Sequence, residues 1–177
     1  GEGQSIQGGG GALRELAKID ASDFDARIAN SEFLIASDVQ NPLIGKEGAS
    51  YVFGPQKGAT AEMVDHLDRN LKHFADLVEE QTGIRLHEMA GAGAAGGIGG
   101  AFQAFFPSKM RRGIDMVIEY TGLKEKLIGA EFVFTGEGQI DYQTASGKTP
   151  MGVAQAAKRE GIPVFALAGS IGQGIDA

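Results

Sequence analysis

EFVFTGEGQIDYQTASGKTPMGVAQAAKREGIPVFALAG, residues 131–169, holds two short apolar runs with a helical pattern between them. Glu131 to Phe134 reads as a strand, because apolar and aromatic residues run together before a glycine. Residues 135–149 read as a loop. Pro150 sits at a helix start, where its missing N–H costs nothing, and Met151 to Glu160 reads as the helix. Gly161 closes that helix, and Ile162 to Ala168 is a second strand. Strand, helix and strand in about forty residues predict a βαβ unit with parallel strands. An α/β protein follows, and the loop after the first strand becomes the place to look for chemistry, since α/β sheets bind ligands beyond the carboxyl ends of their strands.

Working back from that unit, Leu123 to Ile128 predicts a short helix, and Ile114 to Tyr120 fits a strand or a helix equally well. The longest helix starts at Thr60, a good N-cap, with Glu62 in its first turn and Gly83 at its end. Met63, Leu67, Leu71, Phe74 and Val78 form its apolar stripe. A short strand is expected around Ile84 to His87, followed by the glycine-rich turn GAGAAGGIGG, residues 91–100, which runs into a helix stopped by Pro107. Upstream, Ser31 to Ala36 predicts a buried strand ending at Ser37-Asp38. Two prolines and several glycines make residues 39–59 a loop. Asp20 to Asn30 reads as a loop with a helical turn.

The 177 residues are enough to bury a core, and 42% hydrophobic with 22% charged residues is an ordinary globular composition. Glycine is the outlier at 28 residues, about twice its usual share, and it punctuates loops rather than forming a repeat. No apolar run approaches the roughly 20 residues of a membrane span, and the N-terminal residues lack a secretory pattern. Zero cysteines rule out disulfides and thiolate sites and fit a cytoplasmic protein. A net charge of −7 argues against nucleic acid, which needs a basic surface, yet leaves room for a small anion held by local lysines and amides.

Three patterns carry the candidate chemistry. Ser146-Gly147-Lys148-Thr149 resembles the end of a P-loop, although Tyr142 stands where the full motif needs glycine. Lys148, with the amides around Gly147 and Thr149, is placed to meet a phosphate at a helix start. A lysine there opposes the helix dipole and asks for a reason. Glu137 and Asp141, four apart in the same loop, suit Mg²⁺, which is held by one or two carboxylates plus phosphate oxygens. Either could instead take a proton from a substrate hydroxyl, or simply cap the loop. In the third pattern Asp38, Asn41 and Lys57, with Lys46 and Gln56 nearby, could recognise a small hydroxy acid, or each could be a turn residue.

Gly91, Gly93 and Gly96 match G-x-G-x-x-G, but the preceding strand is poor and no acidic residue follows in the right context. A dinucleotide site and plain close packing both remain open. His66 and His73, seven apart on the long helix, lack a third ligand and read as solvated; His87 carries no signal.

Four stretches in this order resemble the glycerate kinase family, of the glycerate 2-kinase type: GGGALRELAKID, DVQNPLIGKEGASYVFGPQKGAT, GAGAAGGIGG, and the run from Phe134 to Ser170. The resemblance covers essentially the whole chain but only part of the family's length. It implies a Rossmann-like parallel-sheet domain with a second α/β domain inserted. Residues 1–129 would be mostly the inserted domain and 130–177 the βαβ part of the Rossmann-like one. The implied activity is transfer of the ATP γ-phosphoryl to D-glycerate, giving 2-phosphoglycerate with Mg²⁺. Glu137, Asp141 and Lys148 would be catalytic, Asp38, Asn41 and Lys57 would bind substrate, and Gly147 and Thr149 would bind phosphate. The resemblance also implies that the chain is a fragment, inactive alone; a homo-oligomer is left open. A non-catalytic ligand-binding module and a nucleotide-binding oxidoreductase are the competing readings.

Overall fold

In a computed structural model, residues 3–140 and 149–172 are described. The chain divides into two compact units, residues 1–110 and 111–177. Both are α/β, as the sequence predicts.

The first unit is built around the long helix. Helix α1 spans Ala26–Ala29, strand β1 Phe33–Ala36, α2 Ala49–Phe53, and α3 Ala61–Thr82. A 3-10 turn at Ala94–Gly97 leads into α4, Ile98–Phe105, and β2 follows at Ser108–Arg111, paired with β1. The ends of α3 are those the sequence predicts. Thr60 Oγ1 accepts a hydrogen bond from the Met63 amide at 3.2 Å, and Gly83 takes the left-handed conformation at φ 73°.

The buried face of α3 is rotated from the expected stripe: Val64, Leu71, Ala75 and Val78 are buried, whereas Met63 is 54% exposed. The covering segments explain the rotation. A Cβ on Gly54, just after α2, would lie 3.2 Å from Val64, so α2 seats on that face rather than over Met63. Leu43, Ala49, Leu86 and Ala92 complete this core with Leu71, Ala75 and Val78. Phe24, Phe33, Phe102 and Phe106 form an aromatic group of adjacent rings beside it.

The strand expected around Ile84 to His87 does not form. Leu86 is completely buried and its neighbours follow an irregular path, with the Ile44 amide reaching the His87 carbonyl at 3.4 Å. Among the described residues no second strand lies alongside to satisfy a ladder, so apolar character alone does not make one here.

In the second unit, Ile114 to Tyr120 resolves as a helix: α5 spans Gly113–Tyr120. Then come α6, Leu123–Leu127, strand β3, Val133–Ile140, helix α7, Thr149–Arg159, and strand β4, Val164–Ile171. Strands β3 and β4 are parallel, with Val133 opposite Val164 and Ile140 opposite Ile171, so the predicted βαβ unit is present. Both strands run longer than expected. Thr135 to Ile140 belong to β3 rather than to a loop, because pairing with β4 continues through Gly136, Glu137 and Gln139. Ile114, Ile118, Leu127, Ala156 and Ala157 form the core of this unit under Val133 and Val164. Gly152 makes it possible: a Cβ there would sit 2.1 Å from Ile114 Cγ1, so only glycine lets α7 approach α5 this closely.

Candidate functional site

The residues singled out from the sequence fall on both units. Glu137 is half-buried in the carboxyl half of β3, opposite Ala168 of β4. It sits on a paired strand and not, as expected, in a free loop. Thr149 is the exposed first residue of α7. Asp141, Gly147 and Lys148 lie outside the described residues, so the expected convergence of Glu137 with Asp141 does too.

In the first unit, three separate sequence motifs meet. The Gly91 amide donates to the Gln40 carbonyl at 3.1 Å and the Gly93 amide to the Asn41 carbonyl at 3.0 Å, stitching the glycine-rich turn to the loop at 39–59. Asn70 on α3 donates to the Gly10 carbonyl at 3.0 Å, which fixes the N-terminal glycine run against the same helix. The three motifs line an open cavity of about 380 Å³ bordered mainly by apolar groups, with Ser50, Lys57, Gly9, Gly10 and Gly96 on its wall. Lys57 reaches it from a 3-10 turn, Pro55–Lys57. Asn41 and Asp38 are not part of that wall. Asn41 Nδ2 donates to the Glu47 carbonyl at 2.8 Å, so this amide holds its own loop closed. Asp38 follows β1 and is exposed.

The glycines of G-x-G-x-x-G have a structural use. Gly91 and Gly96 have positive φ values of 77° and 72°. A Cβ on Gly93 would lie 2.3 Å from the Pro42 carbonyl oxygen. The spacing therefore serves left-handed turns and close backbone packing on the 39–59 loop. Without a strand before it, the fingerprint lacks the context a dinucleotide site requires.

Residues that the sequence left unmarked carry the most connected electrostatics. Tyr51 Oη donates to Asp65 at 2.5 Å, which pushes the phenol pKa up, while Lys46 Nζ lies 4.0 Å from the centre of the Tyr51 ring. Asp68 accepts from the Gly45 amide at 2.9 Å, yet burial raises its pKa. His87, uninformative in the sequence, is 4% exposed, with Nε2 2.7 Å from Asp76 and Nδ1 3.7 Å from Glu79. His73, expected in solvent, is half-buried with Nε2 2.7 Å from the Leu16 carbonyl oxygen. His66 is exposed, with Nδ1 2.9 Å from Arg69 Nη2 and Nε2 3.8 Å from Glu62. A regular seven-residue spacing said nothing of the 12–20 segment that covers one histidine and not the other. Among the described residues no group of three or more His, Asp or Glu is arranged to hold a metal, and no helix is long and apolar enough to cross a membrane.

The family model for the Glycerate kinase family matches residues 1–177. The chain belongs to the glycerate kinase family. Its glycerate kinase relatives include "Glycerate kinase" of Halalkalibacterium halodurans, 50% identical over 99% of this chain and 46% of the relative. "Glycerate 2-kinase" of Escherichia coli K12 is 43% identical over 96% of this chain and 44% of the relative. A crystal structure from Salmonella typhimurium LT2, provisionally named glycerate kinase 2, superimposes with a TM-score of 0.85 at 45% identity. It covers 97% of this chain and 48% of the other. The chain thus spans about half the length of the glycerate kinases it matches.

Proposed function

We propose that this chain is a segment of an ATP-dependent kinase that phosphorylates D-glycerate to 2-phosphoglycerate. The observation that carries the reading is family membership across every residue, including the run from β3 through α7 to β4. In that reading residues 1–129 are mostly the inserted domain and residues 130–177 the βαβ part of a Rossmann-like domain. Phosphoryl transfer asks little covalent chemistry of a protein and much positioning and charge neutralisation. Lys148, with the amides of Gly147 and Thr149, would hold phosphate oxygens at the start of α7. Glu137 or Asp141 would take the proton from the attacking hydroxyl. Asp38, Asn41 and Lys57 would hold the organic acid, Lys57 meeting its carboxylate.

Mg²⁺ fits the donor set. Glu137 is a hard oxygen donor in the carboxyl half of β3, half open to solvent, and a metal held by one or two carboxylates plus phosphate needs no three-residue cage. When bound with ATP it would neutralise charge on the phosphate oxygens; Glu137 or Asp141 would hold it, whichever does not take the hydroxyl proton.

The test is transfer of label from ATP to D-glycerate by a protein of the relatives' full length that carries this segment, with the product read by phosphorus NMR. Formation of 2-phosphoglycerate, and a drop in kcat on the order of 10²-fold in Lys148→Ala with a smaller change in the glycerate KM, is the expected result. Unchanged kcat would remove Lys148 from the chemistry, and a 3-phosphoglycerate product would overturn the regiochemistry. The 177-residue segment alone should show no turnover; robust turnover would mean that the site is complete within it.

A further inference from the structure

We propose that the cleft between α5, α6 and α7 is a binding site for a small phosphate-bearing anion. The observation is a local reversal of charge. The chain has 23 acidic and 16 basic residues. Yet Arg111, Arg112, Lys124 and Arg159 line one cleft of about 250 Å³ together with only two acids, Asp115 and Glu119. Four cations less two anions leave a local charge of +2 in a molecule whose formal net charge is −7.

The two acids orient the arginines. Arg112 Nε and Nη2 donate to Asp115 at 2.8 and 2.9 Å, and Arg111 Nη2 donates to Glu119 at 2.6 Å. Arg111 spends one of the five N–H donors of its guanidinium on Glu119. Lys124 and Arg159 form no ion pair among the described residues; the Asp115 carboxyl is held below its ordinary pKa chiefly by the Arg112 hydrogen bond, and least by Arg159. They supply the excess charge, and Gln155 adds an amide from the same helix face.

The frame beneath is rigid. Gly152 brings α7 against Ile114, and Ile118, Leu127 and Ala156 are at most 6% exposed, so Lys124 and Arg159 stand on packed helices, while Arg111 ends β2 and Arg112 caps the start of α5. Arginine forks fixed in advance match phosphate oxygens geometrically and lose little freedom on binding. A phosphate monoester carries about −1.5 to −2 at neutral pH, which balances the local +2. The cleft suits a phosphate with a few attached atoms. A nucleic acid would instead need a basic stripe extending across the surface of an acidic chain. The inference is independent of the kinase reading, since neither Glu137 nor Thr149 lines this cleft.

The test titrates inorganic phosphate and, separately, glycerol 2-phosphate into the isotopically labelled chain at constant ionic strength. Amide shifts by NMR are the readout. Saturable shifts confined to residues 111–124 and 152–159 are expected, at millimolar affinity weakened about tenfold or more in Lys124→Gln/Arg159→Gln, or about 1.4 kcal/mol. Both substituted residues are exposed, and a circular dichroism spectrum matching the parent checks that the variant folds. Arg159→Glu should abolish the response. Tighter binding of the monoester identifies an organic phosphate as the ligand, and equal binding identifies the phosphate group alone as what is recognised. No saturation by about 50 mM, equal affinity in the double variant, or shifts centred elsewhere would overturn the site.

Discussion

His87 illustrates how much a single side chain depends on its surroundings. Its imidazole is 4% exposed, against a carboxylate of α3 that also receives Lys72 Nζ at 2.8 Å. The Asp76 carboxyl is held below its ordinary value of 3.8, chiefly by the Lys72 hydrogen bond and then by His87. It therefore binds fewer protons folded than unfolded. Its stabilisation is present above about pH 4 and is lost as the pH falls through its depressed folded value. Asp76→Ala leaves a buried imidazole nitrogen without its acceptor and is expected to cost about 1–3 kcal/mol at pH 7. Urea unfolding at pH 7 and pH 3 checks this: the gap between variant and parent should narrow at the lower pH. A gap that is the same at both would mean that packing, and not the charge, accounts for the loss.

At the scale of elements, α3 separates what local pattern can decide from what it cannot. Thr60 and Gly83 end the helix by local hydrogen bonding and backbone conformation, and both are legible in the sequence. Which residues it buries depends on α2 and the Gly10 segment laid over it, and so Val64 and Ala75 are buried and Met63 is exposed, while Phe74 packs half-buried against the core as expected. Leu71→Ala is accordingly expected to cost about 2–5 kcal/mol. Met63→Ala, half exposed, should stay within about 1 kcal/mol. Paired denaturation midpoints measure the contrast, and equal losses would restore the originally expected stripe. Strand β3 shows the complementary case. Its extension through Glu137 came from partners on β4, a pairing between residues about thirty apart that alternation in one segment cannot report.

For the molecule as a whole, the two-stranded sheet of the second unit presents a face with no cover among the described residues. Phe132, Phe134 and Phe165 are 51–61% exposed and their rings pack edgewise and tilted against one another, with Leu167 62% exposed beside them. Parallel sheets are ordinarily covered on both faces, and an apolar patch of this kind promotes association. The chain is expected to self-associate in a concentration-dependent way. Phe134→Ser/Phe165→Ser should weaken that association at least about tenfold, since burying a phenylalanine side chain contributes about 1.5–3 kcal/mol. Sedimentation velocity over a dilution series reads the effect; a variant that associates as strongly as the parent would free this face from the interaction.

The sequence by itself determined the α/β class, the βαβ unit at residues 131–169, both ends of the longest helix and the family. Each rests on local chemistry or on long motifs: capping side chains, glycines at helix ends, apolar runs of strand length. Only the tertiary structure decided that residues 84–87 form no strand, that residues 114–120 are helical and that Glu137 lies within a strand. The candidate sites divide the same way. Lys57 was legible because lysine between turn residues is conspicuous, but its place on a cavity wall with Gly9, Ser50 and Gly96 came from folding. Arg111, Arg112, Lys124 and Arg159 were never a motif. They are up to 48 positions apart, and an acidic chain acquires a basic cleft only when three helices pack closely enough to bring scattered charges to one place.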